Sequence, residues 1–174
     1  MKTKDIKQLI RDIPDFPKQG IIFKDITPVL KNYDAMKFIT KKITKYFKDR
    51  NVAKIVSMES RGFIFGSILS QAMKCGFIPV RKKGKLPYKT ISVEYSLEYG
   101  TDILEMHEDA IEEGENVLII DDVLATGGTA EAVINLVKKC GGNVVGLGFL
   151  IELSFLKPRE KLKEYDIYSL IKYK

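Results

Sequence analysis

The chain has 174 residues, 45% of them hydrophobic and 30% charged, with a formal net charge of +6. That describes one globular domain able to bury roughly 70% of its unfolded surface without disulfide or metal staples, and excludes disorder, collagen and coiled coil as descriptions of the whole. The longest apolar-plus-glycine run, Val144 to Ile151, is far short of the ~20 residues that span a bilayer, and the charged start Met1-Lys-Thr-Lys-Asp lacks the apolar stretch of a secretory signal, so a cytoplasmic protein is expected.

In chain order, Met1 to Leu9 reads as the start of a basic amphipathic helix ending near Pro14, because the residue before a proline avoids helical backbone angles. Residues 15–20 are a loop by composition. Asp34 caps a helix through about Phe47, with Met36, Ile39, Ile43 and Phe47 on one stripe. Val52 to Met58 is a strand, Arg61 to Lys74 a helix and Phe77 to Val80 a short strand. A basic loop, Lys82 to Lys89, leads to a strand pair, Thr90 to Tyr95 and Asp102 to His107, joined across Glu98-Tyr99-Gly100. Val117 to Ile120 is apolar at every position, which predicts a central parallel strand. A helix over Gly128 to Cys140, a strand over Asn143 to Ile151 and a last strand over Ile167 to Ile171 complete an alternating α/β pattern.

Charge is distributed unevenly. Twelve of the 23 carboxylates lie between Glu94 and Glu131, and residues 90–137 contain no lysine or arginine. The remainder is strongly basic, which points to an anionic ligand. The densest cluster, Arg81-Lys82-Lys83-Gly84-Lys85, is short and contains a glycine, as suits a loop around a polyanion. Neither a helix-turn-helix nor a basic stripe with interleaved aromatics is evident, so nucleic acid is not the expected partner. Cys75, Cys140 and the single His107 have no recognisable zinc spacing and read as reduced thiols and a surface imidazole.

The most specific segment runs from Val117 to Ala130: an apolar strand, then Asp121-Asp122-Val-Leu-Ala125-Thr126-Gly127-Gly128-Thr129 opening a helix. Ligands of parallel α/β sheets bind beyond the carboxyl ends of strands. Glycines let the backbone approach a phosphate, and first-turn N–H groups with threonine hydroxyls hold it. Two carboxylates one turn earlier would repel that phosphate, so they face hydroxyls or a divalent cation instead. A ribose 5-phosphate satisfies both requirements. The Gly-x4-Gly-Lys-Ser/Thr loop of nucleotide triphosphatases is absent, and Gly146-Leu-Gly148 lacks the rest of a dinucleotide fingerprint.

This segment resembles the phosphoribosyl pyrophosphate motif of the type I phosphoribosyltransferase family. Blocks from Phe16 to Pro28, Glu59 to Gly66, Arg81 to Pro87, Tyr95 to Gly100 and Glu152 to Leu162 resemble that family's adenine-specific members, in order and over nearly the whole chain. The resemblance implies the type I phosphoribosyltransferase fold: a mostly parallel central sheet flanked by helices. It also implies a single domain over 1–174, with a small N-terminal base-binding hood over 1–33 and a flexible lid hairpin over about 81–107. The implied reaction converts adenine and 5-phosphoribosyl 1-pyrophosphate to AMP and pyrophosphate.

By the same resemblance, Ala125, Thr126, Gly127, Gly128 and Thr129 wrap the 5′-phosphate, and Asp121 and Asp122 hold the ribose hydroxyls. Arg61, Arg81, Lys82 and Lys85 are the cations for the pyrophosphate leaving group, by residue type as well. Glu98 matches the acid/base residue at the purine N7, with Tyr99 beside it near the reaction centre. Ile22 and Arg61 by their backbones, Phe23 by its ring and Leu153 by its side chain are implied for adenine. The Glu59–Ser60 peptide is expected to be cis. Mg²⁺ is the implied cofactor, held mainly by substrate with no direct protein ligand, and the family is homodimeric. Tyr88-Lys89 stands where Gly-Pro is common, and Lys24, Phe155 and Pro158 also depart from the usual pattern. Two other readings stay open: a 6-oxopurine transferase, and a non-catalytic regulator that senses phosphoribosyl pyrophosphate on the same fold.

Overall fold

The computed structural model describes residues 1–96 and 101–174. The chain divides into two compact units, Met1–Lys42 and Ile43–Lys174.

In the first unit, helix α1 (Thr3–Leu9) is followed by an antiparallel pair, β1 (Arg11–Pro14) and β2 (Ile22–Asp25), and the short helix α2 (Thr27–Leu30). The helix expected to run toward Pro14 stops at Leu9, and Arg11–Pro14 is extended instead. Cross-strand charge accounts for the difference. Arg11 meets Asp25 at 2.7 Å and Lys24 meets Asp12 at 2.7 Å, opposite-sign pairs that support a two-stranded ribbon. The loop between these strands contains a cis Phe16–Pro17 bond. Helix α3 (Tyr33–Phe47) begins here and continues into the second unit, and Asn32, not Asp34, accepts the Ala35 N–H at its start.

The second unit is built on a seven-stranded sheet. Its strands are β3 (Lys54–Met58), β4 (Gly76–Lys82), β5 (Thr90–Ser96), β6 (Thr101–His107), β7 (Asn116–Leu124), β8 (Asn143–Leu153) and β9 (Ile167–Tyr173), in the order β5-β6-β4-β3-β7-β8-β9. The four neighbour pairs from β4 to β9 are parallel, and β6 and β5 add antiparallel at the β4 edge. Val117, Leu118, Ile119 and Ile120 of β7 are fully buried between β3 and β8, the central parallel position their continuous apolarity predicts. Helices α4 (Arg61–Met73) and α5 (Gly128–Lys139) pack on the sheet.

Two glycines of β8 permit close packing on one face. A Cβ at Gly148 would lie 2.7 Å from Ile120 Cδ1, and one at Gly146 would enter the Phe47 ring. On the other face, Ala132, Val133, Leu136 and Val137 of α5 join Val56, Ile119, Leu147 and Phe149 in the main core. Between β8 and β9 the crossover contains no α-helix, only two single 3-10 turns, Ser154–Leu156 and Pro158–Glu160. Among the described residues no helix is long and apolar enough to cross a membrane.

Candidate active site

The parallel strands β3, β7 and β8 point their carboxyl ends the same way, and chemistry-bearing residues of the second unit collect there, where open α/β sheets bind ligands. β7 is longer than its apolar run suggests. It extends through Asp121 and Asp122 to Leu124, so both carboxylates lie within the strand. Side chains alternate along a strand. Asp121 accordingly lines a cavity of about 70 Å³ formed with Met58, Ala125, Thr126, Gly127, Thr129 and Phe149. Asp122, only 4% exposed, has its Oδ2 2.7 Å from Arg61 Nε at the start of α4.

The loop after β7 is shaped by Gly127. Its φ of +88° is a left-handed conformation that disfavours any side chain, and a Cβ there would also stand 3.2 Å from the Pro158 carbonyl oxygen. Gly127 caps α5 from outside, and its carbonyl accepts the Glu131 N–H at 2.9 Å. The helix therefore opens with free first-turn donors next to the Thr126 and Thr129 hydroxyls, an anion-binding arrangement.

Glycine is also required on α4. A Cβ at Gly62 would lie 2.6 Å from Asp121 Oδ1, so only glycine lets that carboxylate approach the start of the helix. Burial pushes the Asp121 carboxyl well above the usual carboxylate range, and the neighbouring Asp122 charge pushes it the same way. Burial also raises Asp122, against the opposing pull of Arg61.

The basic residues assemble around one acid. The Glu59–Ser60 peptide is cis, as the resemblance implies. Glu59 Oε2 accepts from Arg81 Nε at 2.7 Å, and its Oε1 accepts the Lys82 N–H at 2.9 Å. Arg81 also donates through Nη1 to the Lys85 carbonyl at 3.0 Å, which folds the loop back on itself. Lys82 Nζ pairs with Asp102 of β6 at 2.9 Å, and Gly84 (φ +76°) donates its N–H to Glu105 at 2.9 Å. Burial disfavours ionised Glu59, but the Lys82 N–H and the Arg81 guanidinium outweigh it and hold its carboxyl below the ordinary range.

The structure thus brings Arg61, Asp121, Asp122 and the 125–129 loop together. It groups Arg81, Lys82 and Lys85 around Glu59, two residues before Arg61. Leu153 is the last residue of β8. Ile22 and Phe23 belong to the first unit, where Ile22 is 56% exposed and the Phe23 ring stands edge-on to Phe16 at 5.2 Å. Glu98 and Tyr99 lie outside the described residues.

Four anchoring residues escaped the sequence reading: Glu59 as the acid under the basic loop, Asp102 as the partner of Lys82, and Glu152 with Arg159 after β8. A faint signal existed for one of them. Glu152 directly follows an unbroken apolar-and-glycine run, where a carboxylate must find a partner. Among the described residues no group of three or more histidine, cysteine or acidic side chains is placed to hold a metal.

Known proteins share the sequence and the fold of this chain. Residues 24–173 match the phosphoribosyl transferase domain. An adenine phosphoribosyltransferase of Thermotoga petrophila is 58% identical over 97% of this chain and 99% of its own length. One from Methanococcus vannielii is 57% identical over 97% and 98%. Among solved structures, the adenine phosphoribosyltransferase of Thermoanaerobacter pseudethanolicus superposes with a TM-score of 0.96 at 53% identity, covering 99% of this chain and all of that one. The Giardia lamblia enzyme, solved with 9-deazaadenine, gives 0.95 at 36% identity, covering 100% and 99%.

Proposed function

This chain belongs to the phosphoribosyl transferase family, and we propose how its residues divide the work of an adenine phosphoribosyltransferase. The activity is transfer of the phosphoribosyl group from 5-phosphoribosyl 1-pyrophosphate to adenine, giving AMP and pyrophosphate, a purine-salvage reaction. The observation that carries the assignment of the ribose 5-phosphate is the pairing of Asp121 with the Thr126–Thr129 loop around one cavity. A hydroxyl acceptor and a phosphate cradle then face the same space.

Ala125, Thr126, Gly127, Gly128 and Thr129 take the 5′-phosphate through backbone N–H groups and hydroxyls. Asp121 accepts from the ribose hydroxyls. Asp122 contributes to the same recognition while it orients Arg61. Breaking the bond between C1 and pyrophosphate leaves negative charge on the departing group. Arg61, Arg81, Lys82 and Lys85 meet that charge, with Glu59 setting the direction of Arg81 before substrate arrives. Preorganised cations cost less to align at the moment of reaction than mobile ones.

Glu98 exchanges the proton at the purine N7 as N9 is alkylated, with Tyr99 beside it. Ile22 and Arg61 through their backbones, with Phe23 and Leu153, receive the base. Donor and acceptor polarity at the adenine edge is what excludes a 6-oxopurine, because mismatched buried polar groups are costly. The hairpin over about 81–107 serves as a lid that keeps water from the sugar cation.

Mg²⁺ is the proposed cofactor. The ion would be held mainly by the substrate, with no direct protein ligand. When bound, the ion neutralises phosphate charge. A cytoplasmic homodimer is the proposed form.

The test is a substrate panel: purified protein with Mg²⁺ and phosphoribosyl pyrophosphate, supplied with adenine, hypoxanthine, guanine, xanthine or orotate. AMP from adenine alone is the expected product. A different nucleotide overturns the base assignments, and no nucleotide from any base overturns the catalytic reading.

A further inference from the structure

The crossover from β8 to β9 carries a side-chain cluster that none of the substrate roles above uses. Glu152 is 2% exposed, at the penultimate position of β8. Arg159, seven residues on, returns to it with two hydrogen bonds from Nε, at 3.0 and 3.2 Å, and one from Nη2 at 2.8 Å. The same Nη2 also donates to the Ile167 carbonyl at the start of β9, 3.2 Å away, and the Ser154 hydroxyl donates to Glu152 at 3.0 Å. One guanidinium therefore ties the end of β8, the crossover and the beginning of β9.

The segment closed by this pair touches the site at both ends. Leu153, assigned to the base, is the residue next to Glu152. On the far side, Pro158 is buried beside the phosphate loop, and its carbonyl oxygen and Cα would stand 3.2 and 3.6 Å from any Cβ at Gly127. Leu162, also buried, approaches the same point with Cδ1 at 3.6 Å. Between them Lys157 adopts φ +51°, a left-handed conformation that a lysine does not choose unaided. The crossover's own backbone bonds are single local turns, from the Lys157, Glu160, Leu162 and Tyr165 N–H groups to the carbonyls of Ser154, Lys157, Arg159 and Leu162, so it is the Arg159 fork that ties these turns to the ends of β8 and β9.

We infer that Glu152 and Arg159 are positioning residues: together they clamp the 153–162 segment so that Leu153 is set against the base and Pro158 against the phosphate loop. The adenine half of this inference rests on the proposed role of Leu153, whereas the phosphate half rests on the Pro158–Gly127 approach. A planar fork is needed because two carboxylate oxygens and a carbonyl are engaged at once, which the single point charge of lysine does not reproduce.

The test uses the full chain with Mg²⁺, comparing wild type, Arg159→Lys, Arg159→Ala and Leu153→Ala by KM for adenine, by equilibrium binding of phosphoribosyl pyrophosphate and by thermal midpoint. Displacements of about an ångström at a site are worth up to about 100-fold, so Arg159→Lys is expected to weaken both substrates by roughly tenfold. Millimolar guanidinium should recover part of the loss in Arg159→Ala, and Arg159→Lys carries the test alone if the alanine variant does not fold. A lowered thermal midpoint with both substrate constants unchanged per folded molecule overturns the clamp. Leu153→Ala with unchanged adenine KM overturns the base assignment instead, and the clamp is then judged on phosphoribosyl pyrophosphate binding by Arg159→Lys alone.

Discussion

Arg61 and Asp122 meet at 2.7 Å, Nε to Oδ2, and this one contact joins the first residue of α4 to the central strand of the sheet. The carboxylate is nearly buried while the guanidinium side chain keeps 35% of its surface. The pair is thus anchored at one end and open to ligand at the other. Asp122→Asn removes the charge that orients Arg61, and because burial already outweighs the pull of Arg61 on this carboxyl it should cost little stability. The expected kinetic signature is a rise in KM for phosphoribosyl pyrophosphate exceeding that for adenine. Initial rates with each substrate varied in turn check it, and equal rises would remove Asp122 from the pyrophosphate side.

Glu59 organises the basic loop in a comparable way. It accepts from Arg81 Nε and from the Lys82 N–H, so neutralising it releases one side chain and one backbone group together. Glu59→Gln keeps the shape and removes the charge. Weaker binding of the pyrophosphate group by about 1.4 kcal/mol would appear as roughly a tenfold rise in the phosphoribosyl pyrophosphate dissociation constant. Calorimetric titration measures it directly, and an unchanged constant would mean that Arg81 is held by its bond to the Lys85 carbonyl alone.

The legibility of the molecule follows the range of the forces involved. The α/β order, the central β7, the hairpin of β5 and β6, and the phosphate loop are written in local pattern: continuous apolarity, glycine placement and helix period. The β1–β2 ribbon is not, because Arg11 with Asp25 and Lys24 with Asp12 are contacts between segments more than ten residues apart. The end of β7 was misplaced for a related reason. Two aspartates look like a strand terminus, yet Arg61 and Gly62 of another element make room for them inside the sheet. The residues of the proposed site are ones the chain's own motifs single out. Their counter-ions, Glu59, Asp102 and Arg159, are not, since any of many lysines and acids could have paired.

Gly127→Ala tests the phosphate cradle. A side chain at φ +88° is strained, and the methyl group would press on the Pro158 carbonyl at 3.2 Å. Strain of this kind costs of order 1–3 kcal/mol. The loop can relieve it only by moving its N–H groups away from the phosphate, so binding of ribose 5-phosphate alone should weaken while the rest of the fold persists. Titration with ribose 5-phosphate, together with the far-UV spectrum, separates the two effects. Unaltered binding would show that the cradle does not depend on this turn.

The Glu152–Arg159 pair has a consequence for acid stability that is independent of catalysis. Burial by itself would raise the Glu152 carboxyl, but the Arg159 and Ser154 hydrogen bonds overcome it and bring its pKa to about 2, from an ordinary 4.5. The folded state therefore binds this proton more weakly than the unfolded state. The resulting stabilisation is complete above about pH 4.5 and is lost as the pH falls toward 2; its full size is up to about 3 kcal/mol. Glu59, Asp25 and Asp102 are depressed in the same direction, so the wild-type curve alone does not isolate the pair. The isolating quantity is the difference in denaturant-unfolding free energy between wild type and Glu152→Gln. That difference should be largest near neutrality and shrink steadily between pH 4.5 and 2, because glutamine has no proton to gain. A difference that stays constant across this interval would mean that Glu152 titrates normally and that Arg159 holds the crossover by its bond to Ile167 alone.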